Sequence, residues 1–285
     1  MSIVFLNGEY LPQDQAKISP MDRGFLFGDG IYEVIPTYGG NTVGFVAHIE
    51  RMQAGLSAIG IELDYSFSDW QAVIDNLLAK NDLGNRAIYL HVSRGTDSKR
   101  AHAYPTGVTP TVFAFSFEIP PAPIADKTKA KPYNVVSSED LRWKRCNIKS
   151  TSLLGNVMHF QQSHELGLQE TILFNQALHL TEASSCNVFV VKDNIIATPA
   201  LDNQLLPGVT RKLLLTILRQ YSSFVVEERT ISMDEVRAAD ELWLTSSSKE
   251  VAPIVTLDGT PVGKGEIGDV WLQAQALFSQ FKYQY

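Results

Sequence analysis

The chain has 285 residues, of which 45% are hydrophobic and 19% are charged, and its formal net charge is −7. These values are typical of a globular protein with one large domain or two ordinary ones, and they exclude a basic nucleic-acid-binding surface. Two cysteines are too few for a disulfide framework or a structural zinc site. We therefore expect a cytoplasmic protein with no bound metal and no nucleic-acid partner.

No segment of the sequence has the pattern of a secretion signal or a membrane span. Asn7-Gly8 interrupts the first apolar run, and no basic region precedes it. The other apolar stretches fall far short of the roughly 18–20 residues that a spanning helix needs. We expect no membrane partner.

The first part of the chain alternates strand and helix patterns. Asn7-Gly8 predicts a type I′ turn between two short strands, and Gly39-Gly40 predicts a second hairpin between strands at 31–38 and 42–46. Ser68 is predicted to open a helix, with Gln71 as its capping-box partner. Periodicity predicts further elements here: a helix over about 48–59 and strands at 88–94 and 112–118.

A proline cluster, Ile119-Pro120-Pro121-Ala122-Pro123, follows these elements. Proline restricts the backbone and cannot donate to a strand ladder, so the cluster favours a stiff linker. We predict an N-terminal domain at 1–119, a linker at 120–124 and a C-terminal domain at 125–285. The alternative is a surface loop within one domain.

The second part again mixes strands with helices. Ser232 and Glu235 form a capping-box pattern, and Pro207-Gly208 precedes a predicted helix that runs to about Tyr221. Hairpin-linked strands separated by helices indicate an α+β fold rather than a doubly wound sheet. The other predicted elements are strands at 134–137, 171–174, 177–180, 187–191, 195–198 and 241–245, and helices at about 152–166 and 266–281.

Lys149 is the first candidate for chemistry. It lies between Ile148 and a segment that soon becomes apolar. Desolvation favours the neutral amine, which can attack a carbonyl carbon. The local pattern by itself favours the alternative, a lysine at a helix start with its amine in solvent.

Two polar segments have the composition of phosphate sites. Gly208 precedes a helix, so the amides of Val209 and Thr210 are available to an anion. Thr245-Ser246-Ser247-Ser248 offers hydroxyl groups after a strand. Each segment alone also fits an ordinary cap or turn.

Charged residues supply two further candidates. Arg100 and His102 follow a strand two positions apart, and a guanidinium beside an imidazole can bind a carboxylate. Glu182 lies among small polar residues between strands. Without further context, a solvated loop fits the first pair equally well, and Glu182 fits either a turn cap or a buried anion.

These segments, taken in order, resemble the fold-type-IV pyridoxal-phosphate enzymes and, within them, the D-amino acid transaminases. The resemblance runs from Asn7-Gly8 to Glu250-Val251. It rests on seven segments in register: Arg23-Gly24-Phe25-Leu26-Phe27-Gly28-Asp29-Gly30-Ile31-Tyr32-Glu33, His48-Ile49-Glu50-Arg51, the stretch from Arg94 to His102, Asn147-Ile148-Lys149-Ser150, the stretch from Thr181 to Asn187, Leu206-Pro207-Gly208-Val209-Thr210-Arg211 and Thr245-Ser246-Ser247.

The resemblance implies a two-domain enzyme with a small N-terminal α/β domain, a larger C-terminal mixed β-barrel-like domain and an active site at the domain interface. It implies that Lys149 forms a Schiff base with pyridoxal phosphate and moves the substrate proton, and that Glu182 pairs with the pyridine nitrogen. It also implies a homodimer in which the partner subunit completes the active site. The phosphate would be bound by Arg51, Gly208, Val209, Thr210, Ser246 and Ser247.

The substrate carboxylate would be bound by Tyr32, Arg100 and His102, of which the last two are expected to reach in from the partner subunit. Arg142 would approach the phenolic oxygen of the cofactor. Tyr89 and Ser184 are also predicted to bind substrate. The substrates implied are a D-amino acid of the D-alanine or D-glutamate type and a 2-oxo acid, converted by a ping-pong mechanism.

The pair Arg100 and His102 distinguishes this prediction from its alternatives. Branched-chain aminotransferases of this fold lack the pair, and aminodeoxychorismate lyase generally lacks it. The sequence departs from the commonest family residues at Phe25-Leu26 and Thr151-Ser152, which leaves side-chain preference open. A protein that binds pyridoxal phosphate without turnover is the remaining alternative.

Overall fold

The computed structural model of the chain describes residues 2–81 and 84–285. They form two compact units, each described below by itself. The first unit comprises the residues up to Pro121 together with Ile148–Leu153, and the second comprises Ala122–Asn147 and Leu154–Tyr285. The short segment that carries Lys149 thus belongs to the first unit. The predicted linker at 120–124 stays a prediction.

The first unit is built on an antiparallel six-stranded sheet with the order β2-β1-β6-β5-β3-β4. Its strands are β1 (Ile3–Leu6), β2 (Glu9–Pro12), β3 (Gly30–Tyr38), β4 (Asn41–Thr42), β5 (Arg86–Ser93) and β6 (Thr111–Glu118), and its helices are α1 (Arg23–Phe27), α2 (Phe45–Ala58) and α3 (Phe67–Asn81).

Local turn chemistry decides the hairpins of this unit. Asn7 and Gly8 have φ angles of 48° and 97°, which confirms the predicted tight turn between β1 and β2. The second hairpin is shorter than predicted. Its returning strand, β4, has two residues, because Gly44 takes a left-handed conformation and α2 begins at Phe45.

The helices α2 and α3 pack on the sheet and bury its core. α2 contacts β3, and α3 contacts β1 and β6. The predicted capping box at the start of α3 is wrong by two positions: the backbone N–H of Asp69 donates to Ser66 Oγ, and the Asp69 carboxylate accepts from Ser66. The largest fully buried side chains of this core include Trp70, Ile31, Ile35, Ile49, Met52, Ile74, Leu77 and Ile88.

The second unit is built on a nine-stranded mixed sheet. The main order is β12-β11-β10-β13-β14-β7-β8-β9, and β15 pairs with β14. Its strands are β7 (Tyr133–Glu139), β8 (Glu170–Phe174), β9 (Leu180–Ala183), β10 (Asn187–Lys192), β11 (Ile195–Thr198), β12 (Val225–Glu228), β13 (Glu241–Ser246), β14 (Glu250–Leu257) and β15 (Thr260–Pro261). Its helices are α4 (Leu154–Glu165), α5 (Val209–Tyr221), α6 (Met233–Arg237) and α7 (Asp269–Phe281), followed by a 3₁₀ turn at Lys282–Gln284.

Most predicted elements of this unit are present. Ser232 Oγ accepts from the backbone N–H of Glu235, which confirms the capping-box prediction for α6. The strand predicted at 177–180 is wrong, because Leu178 has a φ of 57° and β9 begins only at Leu180. In the described part of the chain, no helix is long and apolar enough to cross a membrane. The two sheets and their helices confirm the predicted α+β class.

Candidate active site

The backbone around Lys149 is paired with the start of β3. The carbonyl oxygen of Lys149 accepts from the N–H of Tyr32 at 3.1 Å, and the N–H of Thr151 donates to the Gly30 oxygen at 3.0 Å. Ile31 and Ser150 form an antiparallel bridge between these two bonds. The segment therefore extends the first sheet by one short strand-like stretch, and the rigid sheet fixes the position of Lys149.

Gly28 allows this segment to approach closely. Its φ is +64°, and a side chain on it would place Cβ 2.5 Å from Ser152 Oγ. The carbonyl oxygen of Gly28 accepts hydrogen bonds from the hydroxyls of Thr151 and Ser152. A residue with a side chain at position 28 would strain the backbone and push the Lys149 segment away from β3.

The amine of Lys149 lies over an aromatic face. Its Nζ is 4.0 Å from the centre of the Tyr32 ring, and this ring stacks on Tyr89 at 5.6 Å. The Tyr89 hydroxyl lies 3.1 Å from Nδ1 of His91, and burial raises the pKa of Tyr89 to about 12. Lys149, Tyr32 and Tyr89 are thus brought together, as expected for residues of one site.

Arg51 is held by a buried carboxylate. Its Nε and Nη2 donate to the two oxygens of Glu33, each at 2.7 Å, and Nδ1 of His48 lies 2.7 Å from one of them. Burial raises the pKa of Glu33, but the positive charge of Arg51 and the contact with His48 outweigh it and lower the pKa to about 2. Burial lowers the pKa of His48. The plane of the Arg51 guanidinium is therefore fixed by an ionised Glu33.

Arg100 and His102 both contact one aromatic ring of the first unit. The guanidinium carbon of Arg100 lies 5.0 Å from the centre of the Phe27 ring, and the His102 ring centre lies 5.5 Å from it. The side chains of Arg100 and His102 are otherwise exposed. Their predicted contact with the substrate carboxylate stays a prediction.

In the second unit, Glu182 forms a buried ion pair with Arg142. Nη1 of Arg142 donates to Glu182 Oε1, while Asp140 accepts from Nε at 2.9 Å and from Nη2 at 2.7 Å. The other carboxylate oxygen of Glu182 accepts from the N–H of Leu206 at 3.1 Å and from the Asn187 amide at 3.3 Å. The guanidinium of Arg142 thus pairs with two carboxylates. Its predicted contact with the phenolic oxygen of the cofactor stays a prediction.

Burial dominates the titration of Glu182. Desolvation raises its pKa to about 7, although the charge of Arg142 and the Leu206 N–H favour the ionised form. Burial also lowers the pKa of Arg142, but its bonds to Asp140 and the charge of Glu182 outweigh this and raise it. A carboxyl group with a pKa near neutrality can share a proton with a ligand base.

The start of α5 has the geometry of an anion site. Gly208 caps the helix without a side-chain hydrogen bond, so the first amides, those of Val209 and Thr210, point away from the helix. A side chain at Gly208 would collide with the amide of Asn187. The loop that precedes α5 therefore depends on glycine at this position.

Two hydroxyl groups in the predicted phosphate loop lack partners. Thr245 Oγ1 and Ser246 Oγ are buried and make no hydrogen bond to any residue in the described ranges 2–81 and 84–285. Buried hydroxyls without a partner are costly, so these two groups are available to a polar ligand. Ser247 is half-buried directly after the same strand, β13. Ser184 instead donates to the buried carboxylate of Glu170, and its predicted substrate contact stays a prediction.

Sequence reasoning missed the residues that hold the predicted ones in place. Glu33 fixes Arg51, Asp140 fixes Arg142, and Asn187 contacts both Glu182 and the Leu206 oxygen. Glu33 and Asn187 lie within the segments that carry the resemblance, but no local pattern shows which cation or carboxylate they will meet. Asp140 lies two residues before Arg142, a spacing that could have suggested the pair.

Comparison with known proteins identifies the family of the chain. The family described as Amino-transferase class IV matches residues 30–257. The chain is 36% identical to the D-alanine aminotransferase of Staphylococcus aureus (strain MW2) over 289 aligned residues, which cover 99% of this chain and 98% of that protein. These findings confirm the resemblance to fold-type-IV D-amino acid transaminases.

Solved structures show the same fold. The branched-chain amino acid aminotransferase of Escherichia coli superposes with a TM-score of 0.90 at 21% identity, covering 98% of this chain and 94% of that one. A hypothetical aminotransferase from Mycobacterium tuberculosis, solved in its PLP-bound form, gives a TM-score of 0.82 at 18% identity, covering 98% of each chain. The match over residues 30–257 and the relative of near-equal length place the chain in one family: it belongs to the class IV aminotransferases.

Proposed function

We propose that the chain is a pyridoxal-phosphate-dependent transaminase that moves the amino group of a D-amino acid, of the D-alanine or D-glutamate type, to a 2-oxo acid such as 2-oxoglutarate or pyruvate. The observation that carries the proposal is the amine of Lys149. It is half-buried on an aromatic ring, and no carboxylate of the described residues pairs with it. An amine in this setting is suited to attack a carbonyl carbon.

The residues of each unit fit pyridoxal phosphate. The hydroxyls of Thr245 and Ser246 lack partners among the described residues, and the amides of Val209 and Thr210 are uncapped, as expected of groups that bind a phosphate. We assign Arg51, Gly208 and Ser247 to the phosphate as well. The Mycobacterium tuberculosis protein, which shares this fold, was solved in a PLP-bound form, and this supports the assignment.

When bound, pyridoxal phosphate supplies an electron sink for the charge left on Cα after the substrate loses its proton. Lys149 accepts that proton at its Nζ and donates it again in a later step of the amino-group transfer. Glu182 would hold the proton at the pyridine nitrogen, because a carboxylate beside that nitrogen favours its protonated form. Arg142 and Asn187 keep the Glu182 carboxylate in one orientation.

The substrate side of the proposal is the carboxylate. Tyr32, Arg100 and His102 bind it, and this placement directs the Cα–H bond of a D-substrate toward Lys149. Tyr89 supports Tyr32 by stacking, and Ser184 is retained as a substrate-binding residue by resemblance alone. The name of the Staphylococcus aureus relative, D-alanine aminotransferase, supports the D-configuration.

We also propose a homodimer whose partner subunit completes the active site. One face of α4 carries exposed apolar side chains at helical spacing, with Leu154, Val157 and Met158 exposed by 73%, 58% and 62%. Exposed apolar stripes of this kind are typical of protein interfaces. Sedimentation equilibrium should give about twice the 31.6 kDa mass of one chain.

A cytoplasmic location completes the proposal. Cys146 and Cys186 are buried free thiols, which is usual for proteins of reducing compartments.

The second candidate is a branched-chain L-amino acid aminotransferase, which the fold of the Escherichia coli enzyme favours. A substrate panel separates the two. The purified protein with pyridoxal phosphate should convert D-alanine and 2-oxoglutarate to pyruvate, and L-valine or L-leucine should react far more slowly. Turnover of the L-amino acids alone would establish the second candidate.

Lys149→Ala tests the central residue. The variant should still bind the cofactor, because the residues that bind its phosphate remain. It should lose turnover, and borohydride should no longer attach the cofactor covalently to the protein, because that bond is made through the lysine amine. Lys144→Ala, which changes an exposed lysine five positions earlier, is the matched control and should retain both. Normal activity of Lys149→Ala would refute the assignment.

A further inference from the structure

Two arginines of the first unit are buried around one aspartate. Arg23 and Arg94 are 3% and 5% exposed. Nε of Arg23 and Nε of Arg94 each donate to Asp29 Oδ2 at 2.8 Å, and Nη2 of Arg94 donates to Oδ1 at 3.0 Å. Burying two guanidinium groups is expensive unless their remaining donors are satisfied. The remaining donors of Arg94 bind the carbonyl oxygens of Ile59, at 2.6 Å, and Gly60, at 2.8 Å, just after α2. The other partners of Arg23 identify the second segment that the cluster holds.

The remaining donors of Arg23 bind the backbone between Arg100 and Tyr104. Nη1 donates to the carbonyl oxygen of Ala101 at 2.6 Å, and Nη2 donates to that of His102 at 3.3 Å. The guanidinium of Arg94 lies 3.6 Å from the centre of the Tyr104 ring. The backbone on both sides of His102 is thus tied to a buried charge cluster.

The side chains of the same stretch rest on Phe27. The centre of its ring lies 4.8 Å from the guanidinium carbon of Arg23 and 5.0 Å from that of Arg100, and the ring also contacts that of His102. Arg23 and Phe27 are the first and last residues of the five-residue helix α1. One short helix therefore holds the backbone of the segment with one residue and orients its two functional side chains with another.

We propose that Arg23, together with Phe27, is a positioning residue that holds Arg100 and His102 ready to bind the substrate carboxylate. This inference rests on the proposed function of those two residues. An exposed loop without internal secondary structure must lose conformational freedom when its side chains bind a ligand, and a loop that is already fixed loses less. The cluster supplies this order before substrate arrives.

The test compares Arg23→Gln and Phe27→Leu with Arg86→Gln. Arg86 is a half-buried arginine of β5 that donates to Ser116 instead, so it controls for the loss of a structural guanidinium. The measurements, made on the holoenzyme, are KM and kcat for D-alanine and the inhibition constant of propionate, which has the carboxylate but no amine. Propionate binding, followed by the cofactor absorbance, reads the carboxylate site without turnover.

We expect Arg23→Gln to raise KM for D-alanine and the propionate constant about tenfold, because charge-assisted bonds that order the segment are lost, while kcat stays within about threefold. Phe27→Leu should raise both constants in the same direction, and it leaves the buried ion pairs intact if Arg23→Gln fails to fold. In an Arg100→Ala background, Arg23→Gln should have a much smaller effect, since residues that act through one another are not additive.

Unchanged propionate binding in both variants, or effects that match those of Arg86→Gln, would overturn the positioning role. So would full additivity of Arg23→Gln with Arg100→Ala. Failure of the proposed function would be seen differently: the unmodified enzyme itself would not turn over D-alanine.

Discussion

Replacement of Glu182 by glutamine should separate what this residue does for catalysis from what it does to stability. Burial raises its pKa from the ordinary 4.5 to about 7. Such a rise means that the folded protein without cofactor keeps the carboxyl ionised at high pH at a cost of about 3 kcal/mol. Glutamine has the shape of the neutral acid and avoids that cost.

The pH dependence of the stability follows from the direction of the pKa shift. Below pH 4.5 the group is protonated in both the folded and the unfolded chain, so its stabilising contribution is complete; this contribution is lost as the pH rises through about 7. Between about pH 5 and about pH 8, the free energy of unfolding of Glu182→Gln should therefore rise by about 3 kcal/mol relative to the unmodified protein.

The assay is urea unfolding of the cofactor-free proteins at several pH values, with Glu139→Gln, an exposed carboxylate of the same unit, as the control for one lost negative charge. The holoenzyme of Glu182→Gln should lose about 100-fold or more of kcat, because an amide cannot hold the pyridine proton as a carboxylate does. Parallel pH profiles of the variant and the unmodified protein would refute the argument that burial governs this residue.

Two further replacements test how the first unit holds its functional residues. Gly28→Ala should destabilise the protein by about 1–3 kcal/mol and lower kcat, because it combines a φ of +64° with a collision at Ser152; Gly39→Ala, with a φ of +57° and open space around it, should show the backbone strain alone and keep kcat. Arg51→Met should weaken cofactor binding in an absorbance titration and lower the free energy of unfolding by about 3–5 kcal/mol, since it leaves the ionised Glu33 buried without its guanidinium. Arg219→Met, which breaks an exposed pair with Glu228, should cost no more than about 1 kcal/mol, and equal losses in the two arginine variants would contradict the role given to Glu33.

Local signals predicted the elements that depend on neighbouring residues. Asn7-Gly8 accepts positive φ angles at little cost, so the first hairpin forms where expected. Ser232 and Glu235 satisfy each other within one turn of helix, and Gly208 begins α5 as predicted. The strand prediction at 177–180 was wrong because Leu178 has a left-handed backbone in the turn, which its apolar side chain does not indicate.

For the candidate site, too, the sequence predicted one part and only the fold decided the other. The resemblance carried by the seven segments predicted Lys149, Glu182, Arg51, Arg100 and His102 as site residues. The positions of these groups within each unit required the fold. Lys149 lies beside Tyr32 only because residues 148–153 pair with the start of β3, more than a hundred residues earlier in the chain.

By itself, the sequence determined the class of fold, the family and the residue types that could perform the chemistry, because these follow from local periodicity, turn residues and a linear pattern of segments. Only the tertiary structure decided which charges meet: Glu33 with Arg51, Arg142 with Glu182, and Asp29 with Arg23 and Arg94. The physical reason is that a buried charge needs a partner, but any of several carboxylates can supply it, and the choice is made by strand pairing and helix packing between residues distant in the chain.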